Sequence, residues 1–347
     1  MRILDFVSPA IVDIELTQRC PQRCSFCVTA ASDRLNKTRE ELSFEHLISL
    51  ADQLQELGVH HVFFTGGEPT IRRDFVKLVK EYLDRGIFPS TSTNGQFLNE
   101  RILEELYSIG YTTMHFSIEG PEGIHDKITD MKGSYGRAIK NLELSLSMGF
   151  LSAVSSVGIK DNYDYLPELV NELVKIKPKA YRVLRFFPTN LESLALLPSR
   201  KQVEENIPKI YDICKRQGIP FFFKLSPGLL RERTPKDVYE ICNSCEAGKI
   251  RLDILADGSV VPCKFFKTPD FILGNIKTAR LQEIWKNEKL RPFKGLNPAE
   301  FTGMCGKCRN KFNCYSCRAI AYNITDNLCG DDVSCFKLRN EKRQKSA

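Results

Sequence analysis

The sequence predicts an α/β fold: a right-handed, parallel β/α arrangement, open or curled toward a partial barrel, with a small cysteine-rich domain behind it. Three observations support this. Six short apolar runs of β type alternate with six amphipathic helical segments over the first 225 residues. The rhythm breaks after Leu225, where Pro227-Gly228 reads as a turn and Arg231 to Pro235 as surface or linker. Beyond that break, cysteines fall in closely spaced groups and long apolar elements are few.

In chain order, strands are expected at Ile11–Leu16, His61–Thr65, Ile87–Thr91, Thr112–Ile118, Leu151–Val157 and Tyr181–Phe186. Helices are expected at Ser43–Leu57, Asp74–Arg85, Asn99–Ile109, Ser134–Met148, Tyr165–Ile176 and Lys201–Gln217. Each helix supplies the crossover that returns the chain parallel to its preceding strand. Ile219–Phe223 either extends the sheet or begins the connection onward. Short strands at Arg251–Leu255 and Ser259–Val261 follow, with a helix near Leu281–Asn287. The expected organisation is a β/α domain over 1–225, a linker over 226–239, a cysteine-rich domain over 240–336 and a basic tail over 337–347.

A chain of 347 residues has ample material for a core. Its 17 prolines and 21 glycines are ordinary for a folded protein and exclude extensive disorder. No apolar run approaches the roughly 20 residues of a membrane helix, and Asp5 interrupts the stretch where a secretory signal needs its apolar core. The expected location is the cytoplasm, with no membrane association. There, disulfides are disfavoured, and 13 cysteines cannot pair completely within one chain. Metal or iron–sulfur ligation is the economical use for them. The formal charge of +7 owes much to the tail from Lys337 to Lys345, which reads as a solvated end. With no RNA-binding appendage and no aromatic and basic interleaving, a nucleic-acid partner is not expected.

Cys20, Cys24 and Cys27 form a C-x3-C-x2-C loop directly after the first strand. Three thiolates hold three irons of a cubane cluster and leave the fourth open, whereas a closed tetrahedral zinc site calls for another ligand. Phe26 either covers such a cluster or packs the loop. Gly66-Gly67-Glu68-Pro69 ends the second strand, where adjacent glycines permit close backbone approach and a carboxylate accepts from an ammonium group. Loops at the carboxyl ends of parallel strands converge on one site.

These two motifs, in this order on these elements, resemble the radical S-adenosylmethionine superfamily. The resemblance implies a partial (β/α)6 barrel followed by a small cysteine-rich iron–sulfur domain. It further implies that Cys20, Cys24 and Cys27 ligate a [4Fe–4S] cluster whose open iron is chelated by the amino and carboxylate groups of S-adenosylmethionine. Gly66, Gly67, Glu68 and Pro69 are then expected at the amino end of that cofactor. One electron cleaves the cofactor to methionine and a 5′-deoxyadenosyl radical, which abstracts hydrogen from substrate. Asn94, Ser117 and Glu119 are candidates for ribose or substrate contacts, or serve as turn formers. Arg185 is a candidate for holding a carboxylate, and His125 and Asp126 for moving a proton.

On spacing alone, the C-terminal cysteines suit zinc and iron–sulfur sites equally. Their order resembles the SPASM extension carried by a subset of the same superfamily. Cys245 precedes Gly258 and Cys263; Cys305, Cys308 and Cys314 reproduce C-x2-C-x5-C; Cys317 arrives one residue early; Cys335 is the terminal member. The resemblance implies two auxiliary [4Fe–4S] clusters, making three in all. One is held by Cys245, Cys263 and Cys317 with Cys242 as fourth ligand, the other by Cys305, Cys308, Cys314 and Cys335. Cys214 is expected to be a buried small hydrophobe, and Cys329 stands in reserve for Cys335.

The resemblance also implies an oxidoreductase that passes an electron from the substrate radical to auxiliary clusters, fed by a reducing donor such as flavodoxin or ferredoxin. Peptide or protein side-chain maturation leads among substrate classes, although only 19 residues precede Cys20 where many peptide maturases carry a recognition domain. Tetrapyrrole or sugar-like small molecules are the alternative. A non-catalytic iron–sulfur or zinc-bearing interaction protein explains the cysteines but not the Gly-Gly-Glu-Pro turn. Sulfatase-maturing relatives place a proton-accepting aspartate after the G-x4-C cysteine. Here that position is Lys264, a candidate catalytic residue that is a cation at neutral pH.

Overall fold

The computed structural model describes residues 7–28, 40–223, 245–266, 268–314 and 316–339. The expected linker at 226–239, Cys242 and the tail beyond Arg339 lie outside the described residues. The first half runs β1 (Ile11–Thr17), α1 (Phe44–Glu56), β2 (His61–Gly66), α2 (Phe75–Asp84), β3 (Phe88–Thr93), α3 (Glu100–Ser108) and β4 (Thr113–Ser117). It continues through α4 (Glu122–Thr129), α5 (Ser134–Ser147), β5 (Leu151–Gly158), α6 (Leu166–Ile176), β6 (Tyr181–Arg185), α7 (Arg200–Gln217) and β7 (Phe221–Phe223). The C-terminal part contributes β8 (Arg251–Ile254), β9 (Ser259–Val261), β10 (Gly274–Asn275), α8 (Leu281–Trp285), α9 (Arg291–Lys294), α10 (Gly303–Lys307) and α11 (Arg318–Thr325).

Strands β1 to β7 lie side by side in sequence order, all parallel, as right-handed crossovers require. Among the described residues the sheet does not close: β1 pairs on its other side with β8, also parallel, and β9 and β10 add antiparallel beyond it. The fold is thus a partial β/α barrel whose first strand is extended by the cysteine-rich part. Ile219–Phe223 joins the sheet as β7.

Along β1, Val12, Ile14 and Leu16 are fully buried in the core between sheet and helices, whereas the alternate Asp13 and Glu15 point to the barrel interior. In β8, Leu252 and Ile254 join the same core, and Asp13 lies opposite Asp253 in the pairing register. The helices start where capping chemistry places them. The side chains of Ser43, Asn99 and Ser199 accept from backbone amides of His46, Ile102 and Gln202. The sequence pattern misses α4, an eight-residue helix opened by Pro121 and too short to display a clear period, along with the short helices among the C-terminal cysteines.

Phe64 is fully buried at the centre of β2, with Tyr82 of α2 edge-on at 5.0 Å between ring centroids. Phe64→Ala is expected to cost about 3–5 kcal/mol of stability, read as a fall of several degrees in Tm by circular dichroism.

Candidate functional site

The site begins with a backbone contact. Where β1 ends, the amide of Gly67 donates to the carbonyl of Thr17 and that of Glu68 to the carbonyl of Arg19, each at 2.8 Å. A Cβ on Gly66 would overlap the Thr17 carbonyl oxygen, and one on Gly67 the Arg19 carbonyl oxygen. Gly66 also has φ +136°, which side-chain-bearing residues rarely adopt. Steric fit therefore selects both glycines. The chain they pin, Thr17-Gln18-Arg19, leads directly into Cys20. Glu41 braces it from the other side, accepting from Thr17 Oγ1 at 2.9 Å and from the Gln18 amide at 2.8 Å.

Glu68 is buried, and donors from three residues converge on its carboxylate. Oε1 accepts from the Thr70 amide (3.1 Å), Thr70 Oγ1 (2.5 Å) and Thr93 Oγ1 (2.8 Å), and Oε2 accepts from the Asn94 amide (2.6 Å). Asn94 Nδ2 then reaches Cys20 Sγ at 3.5 Å. Glu68 thus ties the loop after β3 to the turn after β2, and the tie extends to the first cysteine.

Cys20, Cys24 and Cys27 line a cavity of about 510 Å³, whose lining also includes Gly66, Gly67, Glu68, Asn94, Ser117 and Glu119. Cys245, Cys263 and Cys317, more than 200 residues on in sequence, line the same cavity, as do Arg185 and Lys264. Pro69 is buried beside it as the start of a short 3-10 turn. The apolar wall comes from Phe26, Leu184, Phe186, Phe187 and Phe265, with the Phe187 and Phe265 rings stacked at 4.2 Å.

The thiols suit a metal cluster. Burial, then the fields of Glu68 and Cys27, pushes Cys20 up to about 12. Burial, with Glu119, Cys27 and Cys20 nearby, raises Cys24 well above the usual thiol range. Thiols crowded with other acids out of water ionise when a cation group binds them. Among the described residues no group of three or more His, Cys, Asp or Glu could hold a single metal ion. A cluster distributes its thiolates over separate irons.

The C-terminal thiols fall into two neighbourhoods. Cys317 feels Cys245, and Cys263 feels Cys317; burial pushes Cys317 up to about 12. Burial pushes Cys314 up to about 11, with Cys335 and Cys305 among its charged neighbours. Cys329 has Arg318 and Glu300 as its charged neighbours, and its carbonyl accepts from the Thr302 amide at 2.9 Å. Cys308 follows Cys305 at the end of α10. Cys214 is fully buried in α7, as expected of a small hydrophobe.

Other expected site residues have structural partners. His125 is fully buried, accepts from the Glu119 amide through Nδ1 (3.0 Å) and is pushed down to about 4 by burial. Asp126 accepts from the Gly133 and Tyr135 amides (2.5 and 2.9 Å) and Ser134 Oγ (3.0 Å), fixing the start of α5. Neither lines the cavity. Glu119 does: its Oε2 accepts from the Val157 amide at 2.7 Å, and burial pushes it up to about 8. Lys264 stands 3.5 Å from Asp13 Oδ2, an oxygen that also receives Arg251 at 2.8 Å. Arg185 points to Asp332, 2.7 Å away, and to Ser334. Sequence reasoning overlooked Asp332 and Asp253. The one available signal for Asp253 was Arg251-Leu252-Asp253-Ile254, which alternates charged and apolar residues as a half-buried strand does.

A barrel whose carboxyl-end loops gather three thiols and a Gly-Gly-Glu turn, facing a second thiol group from a strand-extending domain, defines a class. The chain belongs to the radical SAM superfamily, whose family model matches residues 14–173, and a SPASM iron–sulfur cluster-binding domain matches residues 245–317. It is an enzyme of that superfamily, using S-adenosylmethionine and iron–sulfur clusters. It is 25% identical over 354 residues to an AdoMet-dependent heme synthase of Methanosarcina barkeri (strain Fusaro / DSM 804), covering 96% of this chain and 98% of that one. A PqqA peptide cyclase of Rhizobium meliloti (strain 1021) is 26% identical over 343 residues, with 95% and 87% covered. Streptococcus suis SuiB bound to precursor peptide SuiA shares the fold, with a TM-score of 0.75 at 18% identity, over 93% of this chain and 76% of SuiB.

Gly67→Ala is expected to displace the loop entering Cys20, so the reconstituted protein loses about four irons, one [4Fe–4S] cluster, together with S-adenosylmethionine binding in equilibrium dialysis. Gly58→Ala serves as the control. Gly58 also has positive φ, but a Cβ there meets nothing within 4 Å, so the cost is a modest loss of Tm with iron retained.

Proposed function

We propose that this enzyme matures peptide or protein side chains by radical chemistry, and that it holds three [4Fe–4S] clusters. The observation that carries this is the shared cavity: the N-terminal thiol loop, the Gly-Gly-Glu turn and Cys245, Cys263 and Cys317 all line it. Cys20, Cys24 and Cys27 would hold the radical-generating cluster. Cys245, Cys263 and Cys317, with Cys242, would hold the first auxiliary cluster, and Cys305, Cys308, Cys314 and Cys335 the second. Bound beside Cys20, Cys24 and Cys27, the cluster and S-adenosylmethionine would supply radical chemistry capable of removing a hydrogen atom from substrate.

The chain's own residues provide the setting. Gly66 and Gly67 let the turn approach the backbone before Cys20, and Glu68 and Asn94 lock that approach. Ser117 and Glu119 offer polar contacts to cofactor or substrate on the same lining. Phe186, Phe187 and Phe265 give the chamber apolar walls that limit water around a reactive intermediate. Lys264 lies beside Asp13, an arrangement that favours its cationic form over a base. We take residues 1–225 as the radical-generating unit and 240–336 as the electron-handling unit, with flavodoxin or ferredoxin as the cytoplasmic donor. No helix among the described residues is long and apolar enough to cross a membrane.

Peptide maturation is favoured by the likeness to the PqqA peptide cyclase and by the precursor-peptide complex of SuiB, a protein with this fold. A carboxylated tetrapyrrole is the second substrate class. The heme synthase relative matches over 98% of its own length, and Arg251 and Lys264 both line the cavity. Anaerobic assays with reductant separate the two by which compound raises 5′-deoxyadenosine formation, a short-peptide library or a tetrapyrrole carboxylate.

The wild-type chain is expected to hold about twelve irons. Cys20→Ala, Cys24→Ala and Cys27→Ala are each expected to abolish 5′-deoxyadenosine formation while about eight irons remain. Undiminished cofactor cleavage in all three would overturn the assignment. Cys242→Ser is expected to disturb substrate oxidation and the auxiliary spectrum more than initial cofactor cleavage, measured by product analysis and electron paramagnetic resonance on the same samples.

A further inference from the structure

Arg185 closes β6 on the cavity lining, and its guanidinium is directed into the cysteine-rich part. Its Nη2 donates to Asp332 Oδ2 at 2.7 Å and also contacts Ser334 Oγ. Asp332 has no solvent exposure, and four donors meet its carboxylate. Oδ2 takes Arg185 and the Cys317 amide (2.9 Å), while Oδ1 takes the Ser334 amide (3.1 Å) and Ser334 Oγ (2.5 Å). The Asp332 carbonyl then accepts from the Cys335 amide at 2.9 Å. One carboxylate therefore fixes the backbone at Cys317 and the segment carrying Cys335, and one arginine joins it to the barrel.

The connection extends to the third cysteine segment. The Arg185 guanidinium lies over the Phe187 ring at 5.6 Å, and Phe187 stacks on Phe265, two residues after Cys263. The positive charge of Arg185 reaches Cys317, Cys314 and Cys335, which belong to both auxiliary ligand groups. The negative charge of Asp332 reaches the same three thiols with opposite sign.

We propose that the Arg185–Asp332 pair is the positioning element of the auxiliary centres: it seats Cys317 at the substrate cavity, holds the segment carrying Cys335 behind it, and sets how readily both centres accept an electron. This rests on iron–sulfur occupancy of the C-terminal cysteines and not on the identity of the substrate. Reduction adds negative charge to a cluster. The nearby guanidinium favours the reduced form and the carboxylate opposes it, and both act through a buried, low-dielectric path. The pair holds these opposed effects in balance while its hydrogen bonds fix the loops. Burial makes the pair a coupled unit, because removing one partner strands the charge of the other.

The test is a double-mutant cycle on the full-length, anaerobically reconstituted protein, with auxiliary midpoint potentials read by electron paramagnetic resonance during redox titration. Arg185→Met is expected to weaken electron affinity at least tenfold, a negative shift of about 59 mV for one electron. Asp332→Asn, which keeps an amide oxygen for the Cys317 amide, is expected to shift the potential positive. The double variant is expected to return toward the wild-type value. Arg185→Lys keeps the charge without the planar fork and is expected to restore most of the potential. If Arg185→Met fails to fold, the Asp332→Asn and double variants decide alone. Clusters present with unchanged midpoints in these variants, even at lower Tm, would show a purely structural pair and overturn the proposal. Stoichiometric zinc in the wild-type C-terminal half would overturn the cluster assignment and this proposal with it.

Discussion

The close approach of two backbones at the end of β1 is the constraint on which the site depends. The amides of Gly67 and Glu68 reach the carbonyls of Thr17 and Arg19 because neither Gly66 nor Gly67 carries a Cβ. Nothing larger fits without moving the segment that delivers Cys20. The glycine motif and the cysteine motif, 39 or more residues apart in sequence, are two sides of one contact. Glu68 extends it by gathering donors from Thr70, Thr93 and Asn94, so the loops after β1, β2 and β3 settle together. Preorganisation of this kind places reactive groups before any cofactor binds.

The second organising feature is the free edge of β1. In a closed barrel the first strand would pair with the last of the series. Here it pairs with β8, which brings the cysteine-rich part into the same sheet. The C-terminal elements are short, with helices of four to eight residues, and bury little by themselves. They borrow the hydrophobic layer of the barrel, to which Leu252, Ile254, Trp285 and Phe293 contribute. Metal ligation then has a defined surface to complete.

Much of this was legible in the sequence because periodicity and motif spacing are local properties. The strands of the first half, their helices and β7 to β9 follow the apolar patterns closely, and the N-terminal thiols and Gly-Gly-Glu turn share one cavity. What was not legible depends on long-range placement. Arg185 reads as a residue that holds a carboxylate, yet the carboxylate it meets is the chain's own Asp332, 147 residues away in an irregular loop. His125-Asp126 looks like proton-transfer chemistry, yet α4 turns the imidazole inward and Asp126 onto the amides of α5. Lys264 reads as a lone cation beside a cysteine until β8 sets Arg251 and Asp253 beside Asp13.

That last placement shows how strictly strand register governs the chamber. Because side chains alternate along a strand, a one-residue slip of β8 against β1 would send Arg251 and Asp253 outward and turn Leu252 and Ile254 into the cavity. The slip is resisted from both faces. Leu252 and Ile254 are fully buried in the main core, and Arg251 is held by Asp13 at 2.8 Å. The same register fixes the hairpin of β8 and β9, and with it the short span from Val261 to Cys263. Apolar packing outside the sheet and ion pairing inside it therefore deliver a thiol to the cavity wall. A hydrophobic pattern readable in four residues thereby positions Cys263 on the wall of the cavity that the N-terminal thiols share.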